Sequence, residues 1–292
     1  MFQGMKSSRQ LSLLIALALS VGGTAVFNHV HAADVTGGDV LVDAGHPAPT
    51  PTAAGNAHDI PGVTDNRNVT GNKLTLNGIL FASDVFGGCT LGGGNAAYNE
   101  VIIENGAGLG NNIEGYGGFS ANGNATNNTI TLNGTHPSMA GFAYLSGGRS
   151  GNAGADVTTG NTLQIKNKNN GAWAISNFEK MKFVLDSGIA SGDTMLNVPG
   201  NNYWHWGAGT KPQTFDWGNI EVENAATWGT GAGVSKRVIL YTGAALTLNN
   251  YSITSAMHTA GNFEYGLSTN TTTPTASTVS ATQIYFDRNQ FK

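Results

Sequence analysis

Charge is scarce in this chain. Asp, Glu, Lys and Arg together make 11% of its 292 residues, the formal net charge is −4, and no Lys or Arg occurs from Leu74 to Gly148. That balance excludes a nucleic-acid binder built on a basic face. Cysteine is almost absent: Cys89 alone cannot form an internal disulfide, and a small inward-facing filler is its expected role. Catalytic signatures are missing too. The acids of the central region are Asp84, Glu100, Glu104, Glu114 and Asp156, which do not recur in register and have no basic companion between Leu74 and Gly148. Paired-carboxylate chemistry on polysaccharides needs such convergence. No Gly-x-Ser-x-Gly elbow is present. His46, His58, Asp59 and Asp65 show no metal-ligand spacing. The expectation is therefore no catalytic residue, no metal site and no cofactor. A polysaccharide lyase or hydrolase remains as an alternative reading. Ordinary disorder is excluded, because 40% of the residues are hydrophobic.

What the chain has in quantity is glycine, 42 residues, together with Asn and Thr, arranged in a repeat. Asn72-Lys-Leu-Thr-Leu-Asn-Gly78, Glu100-Val-Ile-Ile-Glu-Asn-Gly106, Asn128-Thr-Ile-Thr-Leu-Asn-Gly134 and Asn161-Thr-Leu-Gln-Ile-Lys-Asn167 read alike, with starts 28, 28 and 33 residues apart. A second element alternates with them: Phe86-Gly-Gly88, Tyr116-Gly-Gly118 and Gly147-Gly148, each followed by a Gly-Asn-Ala. A fixed period of this size signals a solenoid, whose units bury their apolar faces only by stacking. Leu74-Thr-Leu76, Ile130-Thr-Leu132 and Leu163-Gln-Ile165 alternate with period two, as one-sided strands do. Glu100 to Glu104 has three apolar residues in a row and leaves its register open. The closing Asn-Gly pairs mark turns. Aligning the segments on those pairs predicts a stacked ladder of Asn77, Asn105 and Asn133. The fold expected is all-β, a parallel β-helix; hairpin repeats as in a propeller are the alternative.

The flanks divide the rest. Residues 1–32 read as a secretory signal: Lys6 and Arg9, an apolar stretch from Leu11 to Val26, then Val30-His-Ala32 at the cleavage position. A retained anchor helix is the alternative there. Residues 33–65 are irregular and proline-bearing, 66–170 hold the repeats, and 171–292 continue with further strands and capping strands. In that last part Tyr203-Trp-His-Trp206 lies close to Trp217. Tyr203, Trp204, Trp206 and Trp217 are candidate ligand-binding residues, since flat aromatic faces suit sugar rings. The competing role for the cluster is to cover the side or end of the solenoid.

Asn128-Thr-Ile-Thr-Leu-Asn-Gly134, with Tyr116-Gly-Gly-Phe-Ser120 and Gly123-Asn-Ala-Thr-Asn-Asn128, resembles the repeats of bacterial autotransporter passenger domains. Ile175 to Leu185 with Gly192-Asp-Thr-Met-Leu196, and Val238-Ile-Leu-Tyr241 followed by Gly261-Asn-Phe-Glu-Tyr265, are similar to the segments that succeed such repeats. The resemblance runs from about Asn66 to Phe286. It implies a right-handed parallel β-helix (solenoid) displayed at the cell surface or outer membrane, or secreted. The implied role is adhesion or biofilm interaction without catalysis, with a carbohydrate-binding module as the alternative. The implied partners are a host or bacterial cell-surface ligand, protein or glycan, a second copy of the chain, and an outer-membrane translocator barrel in cis or in trans. No nucleic acid is expected. The chain that follows Asp193 is expected to be too short for a twelve-stranded translocator barrel after the strands already assigned.

Overall fold

The fold is given by a computed structural model that describes residues 35–36, 39–42, 68–78, 80–81, 84–90, 92–110, 113–134, 143–185, 189, 192–199, 214–223, 235–241, 246–250, 258–260, 263–269, 278–281 and 283–291. The expected signal segment, most of the segment 33–65, and Tyr203, Trp204 and Trp206 lie outside the described residues.

The described chain is all-β, and its strands stack in parallel as a β-solenoid of about 4 turns. One face is a seven-stranded parallel sheet: Asp39–Val42, Lys73–Asn77, Glu100–Glu104, Thr129–Asn133, Thr162–Lys166, Lys180–Val184 and Ile220–Glu223. A second face stacks Val85–Thr90, Glu114–Ser120, Tyr144–Ser150 and Ala174–Ser176, also in parallel. Two-residue strands make the corner between them: Val35–Thr36, Val69–Thr70, Ala96–Ala97 and Ala125–Thr126. Parallel pairing of segments about a coil apart rules out the hairpin repeats of a propeller.

Alternation explains the seven-stranded face. Val101, Ile130, Leu163 and Met181 form one inward column, and Leu76, Ile103, Leu132, Ile165 and Phe183 form the next, all with no exposure. Each such side chain contributes about 1.5–3 kcal/mol by leaving water. The open register of Glu100–Glu104 is thereby settled, with Val101 and Ile103 inward and Ile102 outward beside Thr75 and Thr131. The turns that close the strands take the left-handed backbone expected of Asn and Gly, at Asn105 (φ 53), Gly106 (φ 78) and Asn167 (φ 63).

Toward the C-terminus the pairing changes. Ser235–Tyr241 stacks in parallel on Thr194–Val198 but pairs antiparallel with Gln283–Phe291, which pairs antiparallel with Phe263–Thr269. Leu246–Asn249 likewise stacks in parallel on Thr214–Asp216 and pairs antiparallel with Thr278–Ala281. Antiparallel strands thus take over where the parallel coils stop. Among the described residues no helix is long and apolar enough to cross a membrane.

A candidate binding groove and the asparagine ladder beneath it

The corner is held by a buried ladder of asparagines. Asn72 Nδ2 donates to Asn99 Oδ1 (3.0 Å), Asn99 Nδ2 to Asn128 Oδ1 (3.0 Å), and Asn128 Nδ2 to Asn161 Oδ1 (3.2 Å). The same oxygens accept the backbone N–H of the preceding rung at 3.1, 3.0 and 2.8 Å. Each amide also spends a proton on a corner carbonyl: Asn99 on Val69, Asn128 on Ala96 and Asn161 on Ala125. The four side chains are between 0 and 9% exposed. Backbone groups that turn the corner inside the protein thus find partners where water is excluded.

The paired glycines of the second face make room for this ladder. A Cβ on Gly88 would stand 2.4 Å from the Asn99 side chain, and one on Gly118 2.6 Å from Asn128 Nδ2. The two recurring sequence elements are therefore two halves of one contact.

The asparagines expected to stack from the sequence occupy a different corner, and their alignment is corrected by one residue. Register places Glu104, not Asn105, between Asn77 and Asn133. Asn105 Nδ2 donates diagonally to Asn77 Oδ1 (3.0 Å), while Asn133 donates to Glu104 (3.5 Å) and accepts from Asn167 (3.1 Å). The Asn-Gly of that coil comes one position late, so aligning on turns misplaces its strand. The spacing of the buried ladder, 27, 29 and 33 residues, was the available signal.

Directly after the corner the chain takes left-handed φ in every coil: Gly71 (φ 67), Tyr98 (φ 58), Asn127 (φ 56) and Gly160 (φ 70). Glycine and asparagine reach that region cheaply, whereas a bulky aromatic is strained there by about 1 kcal/mol or more. Tyr98 is nonetheless 67% exposed. It borders an open groove of about 540 Å³ on the outer side of the seven-stranded face. Glu100, Thr129, Thr162 and Lys180 form one outward row of the groove floor. Gln164, Lys182 and Glu221 come from the other outward row. Two of these charges pair with neighbours outside the lining. Lys73 Nζ is 3.8 Å from Glu100 and Lys182 Nζ is 2.6 Å from Glu223. The Thr131 hydroxyl lies 3.2 Å from Gln164 Oε1 and 3.4 Å from Glu100 Oε1. The result is a groove of hydroxyls, amides and balanced charges, with one aromatic ring at its rim.

The second face carries a separate polar cluster. Gly115 points to the core, since a Cβ there would touch Leu109 and Leu145 at 3.0 Å, so Glu114 and Tyr116 point outward. Arg149 bonds Glu114 (2.9 Å) and the Tyr116 hydroxyl, and lies 5.4 Å from the centre of the Tyr116 ring. Phe86 stacks on Tyr116 at 5.2 Å and 9°. Cys89 is in register with Phe119 and Arg149, so it belongs to this outward row; the inward filler expected of it is corrected. That expectation rested on residue type alone, which does not say to which side of a strand a side chain points. Burial pushes the Cys89 thiol up to about 12, which keeps it neutral.

Burial likewise pushes the Glu114 carboxyl up to about 7, Arg149 pulling the other way and Asp84 adding to the rise. The folded state therefore holds this proton more tightly than the unfolded chain. The stabilisation is complete below the unfolded value of 4.5 and is lost as pH rises through about 7. Unfolding midpoints in urea should fall across that window, and Glu114→Gln should flatten the slope, a difference of up to about 3 kcal/mol. An unchanged pH profile in the variant would contradict this.

Of the four aromatic ligand candidates only Trp217 is described, and its placement corrects the expectation: it is fully buried in the core with Phe215 and Leu248. Its ring therefore has no face open to a ligand. Neither Tyr98 nor the groove was singled out in the sequence, where Tyr98 is one residue in an Asn/Gly/Ala-rich loop. Among the described residues no three His, Cys, Asp or Glu side chains converge as a metal site. Comparison with protein-family models, with curated proteins and with solved structures finds no match to this chain.

Proposed function

We propose that this chain is an exported, surface-displayed adhesive protein of the autotransporter passenger type, which binds a cell-surface ligand, protein or glycan, without catalysis. The observation that supports the reading most directly is the seven-stranded face. Its outward rows run in register over successive rungs as Lys, Glu, Thr, Thr, Lys and as Thr, Ile, Thr, Gln, Lys, Glu. Polar contacts repeated on a rigid scaffold add by multivalency, each weak alone. A translocator barrel, in cis or in trans, anchors the chain at the outer membrane in this reading, and a second copy of the chain is a further partner. The last rung of the face, Ile220–Glu223, turns Glu221 and Glu223 to solvent, and charge at a sheet edge opposes end-to-end pairing there.

Display of the full chain on a non-adherent laboratory bacterium tests the reading. Cells carrying it should bind epithelial and bacterial surfaces several-fold better than cells carrying an empty display vector, and should settle faster in suspension. Equal adherence and equal settling would refute it.

A further inference from the structure

We infer that the groove bordered by Tyr98 takes a neutral linear glycan, lying across the rungs of the seven-stranded face. Three observations converge on this. The first is Tyr98 itself. The corner position is Gly in the coil before, Asn in the coil after and Gly in the next, all left-handed, and among the described residues an aromatic is held in that conformation only here, in an exposed setting. Strain of this kind persists where the ring has a use. A flat exposed ring at a groove rim is suited to stack on a sugar.

The second observation is the floor. Thr129, Thr162 and Gln164 offer hydroxyl and amide groups, and Gln164 Oε1 accepts from the Thr131 hydroxyl. Lys180 stands at the far end as a further donor. From the Glu100 rung to the Lys180 rung are three steps of about 4.8 Å, a length that suits a short run of sugar units. The third is charge. Glu100 and Glu221 balance Lys180 and Lys182 along the lining, so a neutral polar occupant fits better than a polyanion. An extended peptide is disfavoured as well, because the floor is the middle of a paired sheet and offers no free strand edge to extend.

The inference deepens the adhesive reading and rests on it for the groove's use at a surface. Its test is calorimetric titration of the full chain with cellohexaose, maltohexaose, mannohexaose and, as the charged probe, a hexagalacturonate. At least one neutral hexasaccharide should bind. Tyr98→Asn should weaken that binding about tenfold or more, and Gln164→Ala by a smaller factor. Because Asn is at home in this backbone conformation, Tyr98→Asn should melt at the same temperature as the parent or higher. Four outcomes would overturn the inference: no neutral sugar bound, unchanged affinity in Tyr98→Asn, binding of the galacturonate alone, or a lower melting temperature that assigns Tyr98 to folding. The displayed cells separate the two readings. Adherence unaffected by Tyr98→Asn without sugar binding removes the glycan and leaves adhesion. Sugar binding with no adherence does the reverse.

Discussion

Replacing Asn128 by Ala should cost about 4 kcal/mol, a large part of the 5–15 kcal/mol that holds a typical domain together. The change leaves the Asn99 backbone N–H and Asn99 Nδ2 without their acceptor, removes the side-chain donor to Asn161 Oδ1 while the backbone N–H of residue 128 stays, and strips the Ala96 carbonyl of its partner. Each orphaned buried group costs about 1–3 kcal/mol, partly relieved by water entering the gap. In a stack of coils the damage falls on the contact between neighbours, so the urea transition should broaden as well as shift. Asn124→Ala is the control. Asn124 accepts the Asp156 N–H at 2.9 Å in an exposed setting, where water can substitute, and the loss should stay within about 1 kcal/mol. Equal effects at the two positions would show that the buried ladder does not bear the corner.

Gly148→Ala should prevent the coil from closing. Its Cβ would lie 2.1 Å from the Ala125 carbonyl oxygen, 2.7 Å from that of Val157 and 2.8 Å from Asn161 Nδ2. Two of these are backbone atoms held in the ladder and corner pairings, so nothing can step aside cheaply. A loss beyond about 4 kcal/mol is expected, seen as insoluble protein or as collapse of the β signal in circular dichroism. Gly106→Ala makes the comparison clean. Space is open there, with no atom within 4 Å, and only the left-handed backbone (φ +78) resists a side chain. That costs about 1 kcal/mol. The same chemical change is then mild or ruinous according to what faces it.

The solenoid was legible in the sequence because its two periodicities are strong. Alternation at Leu74-Thr-Leu76 and Ile130-Thr-Leu132 marks the buried columns, and the recurrence of Gly-Gly marks the second face. The ladder was half visible. Asn72, Asn128 and Asn161 stand at the heads of aligned segments, but Asn99 sits one place outside its own, because the late turn at Asn105-Gly106 pulled the alignment off by a residue. Trp217 illustrates a different blindness: composition shows aromatic residues near one another, yet says nothing of whether a ring faces sugar or core. Tyr98 was illegible for a third reason. Its significance lies in a backbone dihedral and in its exposure, and neither leaves a mark in the letters.

The third interval of the repeat is longer than its predecessors, 33 residues against 29 between ladder asparagines, and register survives it. Most of the surplus falls between Ser150 and Asn161, where Asp156 receives the Thr158 and Thr159 N–H groups at 3.0 Å and its own N–H still reaches Asn124. The excursion is thus pinned at its base while its tip, at Asn152 to Gly154, is exposed. Such a corner is a natural grafting site. Foreign peptides spliced there would ride on the scaffold as passengers of varied length, with the faces and the ladder beneath them unchanged.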